Sequence, residues 1–131
     1  MYYLGLDYGA RYIGMAIGDD DIGIASPWKT IEQTSLQETL DALKGVVKVE
    51  GIGTVVVGVP TFGSMHTQQR TVTEEFIRVL RGSIIIPVET ADESFTSLEA
   101  KRRLGGGNDD HAVAAMLILQ SYLDRKISRA L

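Results

Sequence analysis

Apolar residues along the chain follow the two-residue period of strands in its first third. The runs Tyr2–Leu6 and Tyr12–Ile17 predict a β-hairpin that opens the chain. A third strand is predicted from Ile22 to Ile31, and Pro27 restricts it to a sheet edge or a bulge because proline donates no ladder hydrogen bond. The first third is therefore predicted to be an antiparallel meander.

The middle of the chain alternates between the helical period and unbroken β-branched runs. The sequence predicts four elements in order: a helix that begins at the capping box of Ser35 and ends near Gly51, a buried strand over 54–60, an amphipathic helix over 72–80 that ends at Gly82, and a buried strand over 83–88. A helical crossover between two strands makes them parallel. A mixed sheet with helices on its faces follows.

The last third is predicted to be helical. A second capping box at Thr96 begins a short helix that continues through Arg103, and the glycines at 105–107 end it. The final helix runs from about Asp110 to Arg125 or beyond and is apolar on nearly all sides, so it should be largely buried. The fold class is α/β, and residues 1–131 are predicted to form a single domain.

Composition narrows the class of protein. The chain is 44% hydrophobic and 23% charged and contains no cysteine, so it has no disulfide or thiolate metal site. Without an apolar run of about twenty residues or a signal peptide, we expect a cytoplasmic protein without a membrane partner. The net charge of −4 argues against a protein that merely coats nucleic acid. The basic residues at 101–103 and at Arg125, Lys126 and Arg129 are typical of solvated helix faces.

Asp7 is the first candidate for chemistry, because it ends an apolar strand where a charge is costly unless it is paired or bound to a metal. Two interpretations remain open at this point: a hydrogen-bond acceptor in a hairpin turn, or a carboxylate of a metal or phosphate site. Gly5 and Gly14 remove side chains where another element can approach closely. Asp19, Asp20 and Asp21 are interpreted as a solvated turn, since the spacing of a calcium loop is missing.

Further carboxylates should lie at the same end of the sheet as Asp7. Glu93 follows the last predicted strand, and Asp109 and Asp110 begin the buried helix. Magnesium prefers oxygen ligands, and two such ions about 4 Å apart can assist phosphodiester cleavage. If the last strand is two places from the first, about 10 Å separate them, and the chain after it must fold back to bring Glu93 near Asp7.

Five segments of the chain, in order, resemble motifs of the YqgF (RuvX) family. They are Gly5–Gly9, Arg11–Ala16, Val55–Pro60, Asp92–Ala100 and Ala114–Asp124. The resemblance covers essentially the whole chain. It implies a ribonuclease H-like fold whose five-stranded mixed sheet has three antiparallel meander strands followed by βαβ, with helices on both faces. It also implies a cytoplasmic nuclease that depends on a divalent metal and is linked either to Holliday junctions or to maturation of the 5′ end of 16S rRNA.

The family motifs place catalytic acids on particular residues of this chain. Asp7 and Glu93 match the acids of the first strand and of the Asp-Glu-Arg motif. The acid of the last helix falls on His111, with Asp110 one residue earlier. Either Asp110 is the third ligand, which we favour, or His111 replaces it. Imidazole suits Mn²⁺ or Zn²⁺ better than Mg²⁺, and beside Asp110 it would act as an acid, a base or a phosphate contact.

The resemblance thus predicts a hydrolase that cleaves nucleic acid with one or two Mg²⁺ or Mn²⁺ ions. Its expected catalytic residues are Asp7, Glu93, Asp110 and His111, with the metal on Asp7, Glu93 and Asp110, and its expected substrate contacts are Arg11, Ser94 and Thr96. The expected partner is precursor rRNA or branched DNA, and cleavage of a junction would need a homodimer.

Two departures from the family pattern support a competing function. Tyr12 and Ser94 stand where the family usually has arginine, and a lost arginine weakens phosphate binding. A non-catalytic module that binds RNA or a ribosomal protein is therefore the main alternative. Nucleotide binding of the actin or hexokinase type is a weaker one, since it requires a second domain.

Overall fold

The computed structural model describes residues 1–60, 67–93 and 109–130, and the side chains of 67, 109, 110 and 130 are outside that description. Its strands are β1 (Tyr2–Tyr8), β2 (Tyr12–Asp19), β3 (Ile24–Glu32), β4 (Ile52–Pro60) and β5 (Val88–Glu93). Its helices are α1 (Leu36–Glu50), α2 (Thr67–Ser83) and α3 (Asp109–Ala130). The short helix predicted over 96–103 and the glycines at 105–107 lie outside the described residues.

The strands form one mixed sheet in the order β3-β2-β1-β4-β5. β1 pairs antiparallel with β2 and parallel with β4, while β5 continues the parallel half. The predicted meander followed by βαβ is confirmed. Pro27 lies on an edge strand, at a shift in the pairing between Met15 and Ala16, as its chemistry requires.

The two faces of the sheet carry two separate cores. Leu4 and Leu6 of β1 pack on the side of α1 and α2. Tyr3, two residues before Gly5, packs on the side of α3. Because side chains alternate along a strand, Asp7 shares the α3 face with Tyr3 and Gly5. This alternation decides which helix the carboxylate meets.

The ends of α1 follow the predicted capping chemistry. The Ser35 hydroxyl accepts a hydrogen bond of 3.1 Å from the backbone N–H of Glu38. Gly51 ends the helix in the left-handed region at φ 66°, which glycine adopts without steric cost. In the three described ranges, no helix combines the length and the apolar character needed to cross a bilayer.

The prediction of the fifth strand over 83–88 is wrong. α2 continues to Ser83, and β5 begins only at Val88. Ile84 and Ile86 are apolar because they cover the end of the core, whereas Ile85 is fully exposed. The third strand likewise begins at Ile24 rather than at Ile22, which lies in the turn before it.

Candidate active site

Asp7 is the second-to-last residue of β1 and is almost completely buried, with 2% of its surface exposed. It pairs with Gly14 on β2, so its backbone is held within the sheet. Its side chain points to the face that α3 covers. The imidazole of His111 lies beside its carboxylate, with Nδ1 3.6 Å from Oδ2.

Gly14 determines how closely the start of α3 approaches the sheet. A Cβ atom on Gly14 would overlap with the carbonyl group of His111 and would lie 2.7 Å from the backbone nitrogen of Ala112. A Cβ atom on Gly5 would lie 2.9 Å from the carbonyl oxygen of Ala115. The predicted close approach at both glycines is confirmed, and at Gly14 it places His111 beside Asp7.

The Nδ1 atom of His111 is buried and has no hydrogen-bond partner among the described residues. Its distance of 3.6 Å from Asp7 Oδ2 is too long for a hydrogen bond. Buried polar atoms normally have a partner. A buried nitrogen without a hydrogen bond, 3.6 Å from a buried carboxylate, fits a site that a further group, such as a divalent cation, completes.

Glu93 ends β5 with only 8% of its surface exposed. Its register partner on β4 is Pro60, and Ala91 pairs with Gly58. The pairing of β1 with β4 ends at Leu6 and Val57, so Asp7 is level with Gly58. Glu93 therefore lies two strands from Asp7 and about two residues farther along the sheet.

Gly58 leaves space for the side chain of Glu93 beside the intervening strand β4. The Cγ atom of Glu93 lies 3.0 Å from the position that a Cβ atom of Gly58 would occupy. The Glu93 side chain therefore lies beside Gly58 on the α3 face, the face that Asp7 shares. Gly58 was not recognised from the sequence as part of the site, although a glycine inside a β-branched run is a signal of close approach.

The other predicted site residues have different positions. Arg11 lies at the rim with its side chain 73% exposed, 3.8 Å from Glu32 and with its guanidinium 5.3 Å from the ring centre of Tyr12. The Tyr12 ring in turn lies 5.4 Å from that of His111. Asp110 is in the first turn of α3, but its side chain is outside the description, as are Ser94 and Thr96.

A second acidic group lies at the opposite end of β1. Ligand oxygens of Asp19, Asp20 and Asp21 are within 4.8 Å of one another. Asp20 accepts hydrogen bonds of 3.1 Å from the N-terminal ammonium and from the Tyr3 hydroxyl. The hydrogen bond from the ammonium is the main reason that the pKa of Asp20 is lowered. Hydrogen-bond donors of the chain itself therefore satisfy the carboxylate of Asp20 in this turn.

Solved structures with the same architecture identify the class of fold. The chain is similar to RuvC of Thermus thermophilus, solved in complex with a Holliday junction substrate, with a TM-score of 0.65, 12% identity and coverage of 97% and 96% of the two chains. Fowlpox virus resolvase, solved with Holliday junction DNA, gives a TM-score of 0.57, 10% identity and coverage of 97% and 99%. The fold is the ribonuclease H-like fold of resolvases.

Sequence comparison defines the family within that class. The family model described as "RuvX: Holliday junction resolvase" matches residues 1–125. Relatives named "Putative pre-16S rRNA nuclease" include one from Chloroflexus aggregans, 36% identical over 94% of this chain and 93% of its own length. Another, from Caldanaerobacter subterraneus, is 39% identical over 95% and 96%. The chain belongs to the RuvX family, and it is a nuclease-type hydrolase of phosphodiester bonds.

Proposed function

We propose that the protein is a divalent-metal-dependent endonuclease that processes the 5′ end of precursor 16S rRNA. The observation that carries this proposal is a second buried carboxylate, Glu93, whose Cγ atom lies beside Gly58 on the same face of the sheet as Asp7. The names of the curated relatives support the choice of RNA as the substrate. Two buried carboxylates have no role in the apolar core, so their burial favours a functional site.

We assign the cation to Asp7, Glu93 and Asp110. The first two provide carboxylate oxygens from the ends of two strands, and Asp110 lies in the first turn of the helix whose close approach to the sheet Gly14 permits. Oxygen donors of this kind suit Mg²⁺ and Mn²⁺. When bound, such an ion polarises the scissile phosphate and lowers the pKa of an attacking water.

The remaining residues act on the substrate. The Nδ1 atom of His111 faces Asp7, and 26% of the His111 side chain is exposed. The same imidazole ring can therefore exchange a proton with the substrate while it lies beside the carboxylate. Arg11 is the rim cation, and its exposed guanidinium can contact a phosphate. Ser94 and Thr96 follow Glu93 directly in the sequence and are proposed as hydroxyl contacts to phosphate.

The test measures cleavage of two labelled substrates, an rRNA 5′-leader fragment and a four-way DNA junction, in Mg²⁺, Mn²⁺ or chelator. Wild-type protein should cut the RNA only with metal, and Asp7→Asn and Glu93→Gln should each lose at least about 100-fold in rate. The control Asp41→Asn removes an equivalent charge from the exposed face of α1 and should cut normally. Thermal unfolding confirms that each variant is folded.

Each other outcome leads to a different conclusion. Cutting of the DNA junction alone would transfer the site to recombination, and the protein would then have to act as a dimer because a resolvase cuts two strands symmetrically. Binding of RNA that chelator leaves unchanged, without any cutting, would instead establish a non-catalytic module. Full activity of Asp7→Asn would refute the site itself.

A further inference from the structure

A basic groove lies between the C-terminal half of α3 and the edge strand β5. Its volume is about 410 Å³, and it is lined by Glu89, Thr90, Tyr122, Arg125, Lys126 and Arg129. Three cations in one groove form a concentrated positive surface on a chain whose net charge is −4. This local charge calls for an explanation beyond general solubility.

The two arginines of the groove have no ion-pair partner within 4.0 Å in the part of the chain that the structure describes. Glu89 lines the same groove without forming such a pair. The arginines of α2 differ, since Arg70 lies 3.2 Å from Glu74 and Arg78 is paired with Glu75. Arg125 and Arg129 are also both exposed, so their charges are accessible to a ligand.

Helix stability explains only part of this arrangement. Arg129 lies in the last turn of α3, where a cation interacts favourably with the helix dipole. Arg125 lies before that turn, one helical turn from Arg129, so the two like charges repel each other. Lys126 has a structural contact of its own, with Nζ 5.9 Å from the ring centre of Tyr3, and a hydrogen bond with the Tyr3 hydroxyl raises the pKa of Lys126.

Both walls of the groove lead to the candidate active site. Arg125 is fourteen positions after His111 on α3, which is about 21 Å along a helix. Glu89 is four positions before Glu93 on β5, which is about 13 Å along a strand. A duplex rises about 3.4 Å per nucleotide, so Arg125 lies about six nucleotides from His111 and the nearer end of the groove at Glu89 about four from Glu93.

We propose that Arg125 and Arg129 bind backbone phosphates of the nucleic-acid substrate about six nucleotides from the scissile bond. This inference rests on the proposed nuclease function. The planar guanidinium group matches the geometry of a phosphate and stays charged at all relevant pH values. The groove contributes affinity and register, whereas the acidic site performs the cleavage.

The experiment measures the Kd of labelled nucleic acid by fluorescence anisotropy in chelator, where cleavage does not interfere. The probes are the rRNA 5′-leader fragment and the four-way DNA junction, which separate an RNA ligand from a DNA ligand. The variant Arg125→Gln/Arg129→Gln is compared with Arg70→Gln/Arg78→Gln, which removes the same charge from paired arginines of α2. Urea unfolding establishes that both proteins are folded.

The groove variant should bind about 10-fold more weakly, and its plot of log K against log salt should lose a slope of about two, one for each phosphate contact. Its kcat at saturating substrate should stay at the wild-type value. The α2 control should change Kd less than about twofold. A variant with both groove arginines changed to lysine should retain most of the affinity, because it keeps the charge.

A length series tests the distance. Substrates are shortened separately on the 5′ and 3′ sides of the cut, and the loss in the groove variant should vanish on one side below about six nucleotides. An unchanged Kd in the groove variant, a loss equal to that of the α2 control, or a loss independent of length would overturn the proposal while leaving the nuclease assignment intact. Wild-type protein that binds neither probe would refute both.

Discussion

The side chain of Glu93 lies against Gly58 of β4, with its Cγ atom 3.0 Å from the position that a Cβ atom of that glycine would occupy. The same position is 2.8 Å from Cγ1 of Ile118 on α3. Gly58 is thus enclosed between an acidic side chain and an apolar one. One strand, β4, separates Asp7 on β1 from β5, and the absence of a side chain on Gly58 leaves room for Glu93 above that strand.

Gly58→Ala should therefore reduce cleavage while the protein still folds. The methyl group must displace Ile118 and Glu93, which we expect to lower the free energy of unfolding by about 1–3 kcal/mol. A displacement of Glu93 near 1 Å should reduce the rate about 100-fold. The measurements are urea unfolding and single-turnover cleavage at a temperature where the variant is fully folded.

Gly45→Ala provides the matched control for this change. Gly45 lies inside α1, and a Cβ atom there has no neighbour within 4 Å among the described contacts. Alanine should stabilise the helix by up to about 1 kcal/mol and leave cleavage unchanged. A Gly58→Ala protein as active as this control would show that the position of Glu93 does not depend on Gly58.

Gly14→Ala should be more damaging than Gly58→Ala. The neighbours of the added methyl group are the carbonyl of His111 and the backbone nitrogen of Ala112, which cannot rotate aside as a side chain can. We expect a loss of about 3 kcal/mol or more in unfolding free energy, because α3 must separate from the sheet. The comparison is with Gly82→Ala in α2, where the added atom meets open space. Equal stability of the two variants would contradict the packing described for Gly14.

Much of the fold could be predicted from the sequence because alternation of burial is a local property. The hairpin and the α1 cap at Ser35 follow from residues that are neighbours in the chain. The fifth strand could not be placed by hydrophobicity, because Ile84 and Ile86 pack against the core, partly buried, without being in a strand. The true strand contains exposed polar residues, as an edge strand does.

The candidate site likewise contains one part that the sequence predicts and another that depends on long-range packing. Asp7 stands out in the sequence because it is a charge inside an apolar run, and the structure places it in the core. The path of Glu93 depends on Gly58, thirty-five positions earlier, and on the packing of α3. Likewise, the direction of His111 Nδ1 depends on Gly14 of β2. Contacts between residues so far apart in the chain leave no periodic pattern in a single sequence.

Asp20 should make stability depend on pH at the end of the sheet opposite to the candidate site. The hydrogen bond from the N-terminal ammonium lowers the pKa of Asp20 and raises that of the ammonium. The carboxylate therefore stabilises the fold above its unfolded pKa of about 3.9 and loses this effect as the pH falls through the lower folded pKa. The ammonium stabilises below its unfolded pKa of about 8 and loses its effect as the pH rises through the higher folded pKa.

Asp20→Asn should consequently be less stable than wild type mainly between about pH 5 and pH 8, and the difference should narrow on both sides. Urea unfolding at about pH 3, 6.5 and 10 measures this stability difference below, inside and above that range. Asp21→Asn removes the same charge from an exposed neighbour and should show a weaker dependence. A constant difference between wild type and Asp20→Asn at all three pH values would exclude this pairing as its origin.

His111 and Asp110 make different predictions about the metal. Asp110→Asn should abolish cleavage in both Mg²⁺ and Mn²⁺ if its carboxylate is the third ligand, as we propose, whereas His111→Gln should slow both reactions without changing their ratio. If the buried Nδ1 of His111 binds the ion instead, His111→Asp should increase the rate in Mg²⁺ relative to Mn²⁺, because a carboxylate suits Mg²⁺ better than imidazole does.

Electron paramagnetic resonance of bound Mn²⁺ gives a readout independent of activity. Nitrogen coupling in wild type that disappears in His111→Gln would assign the third ligand to His111 and overturn its assignment to Asp110.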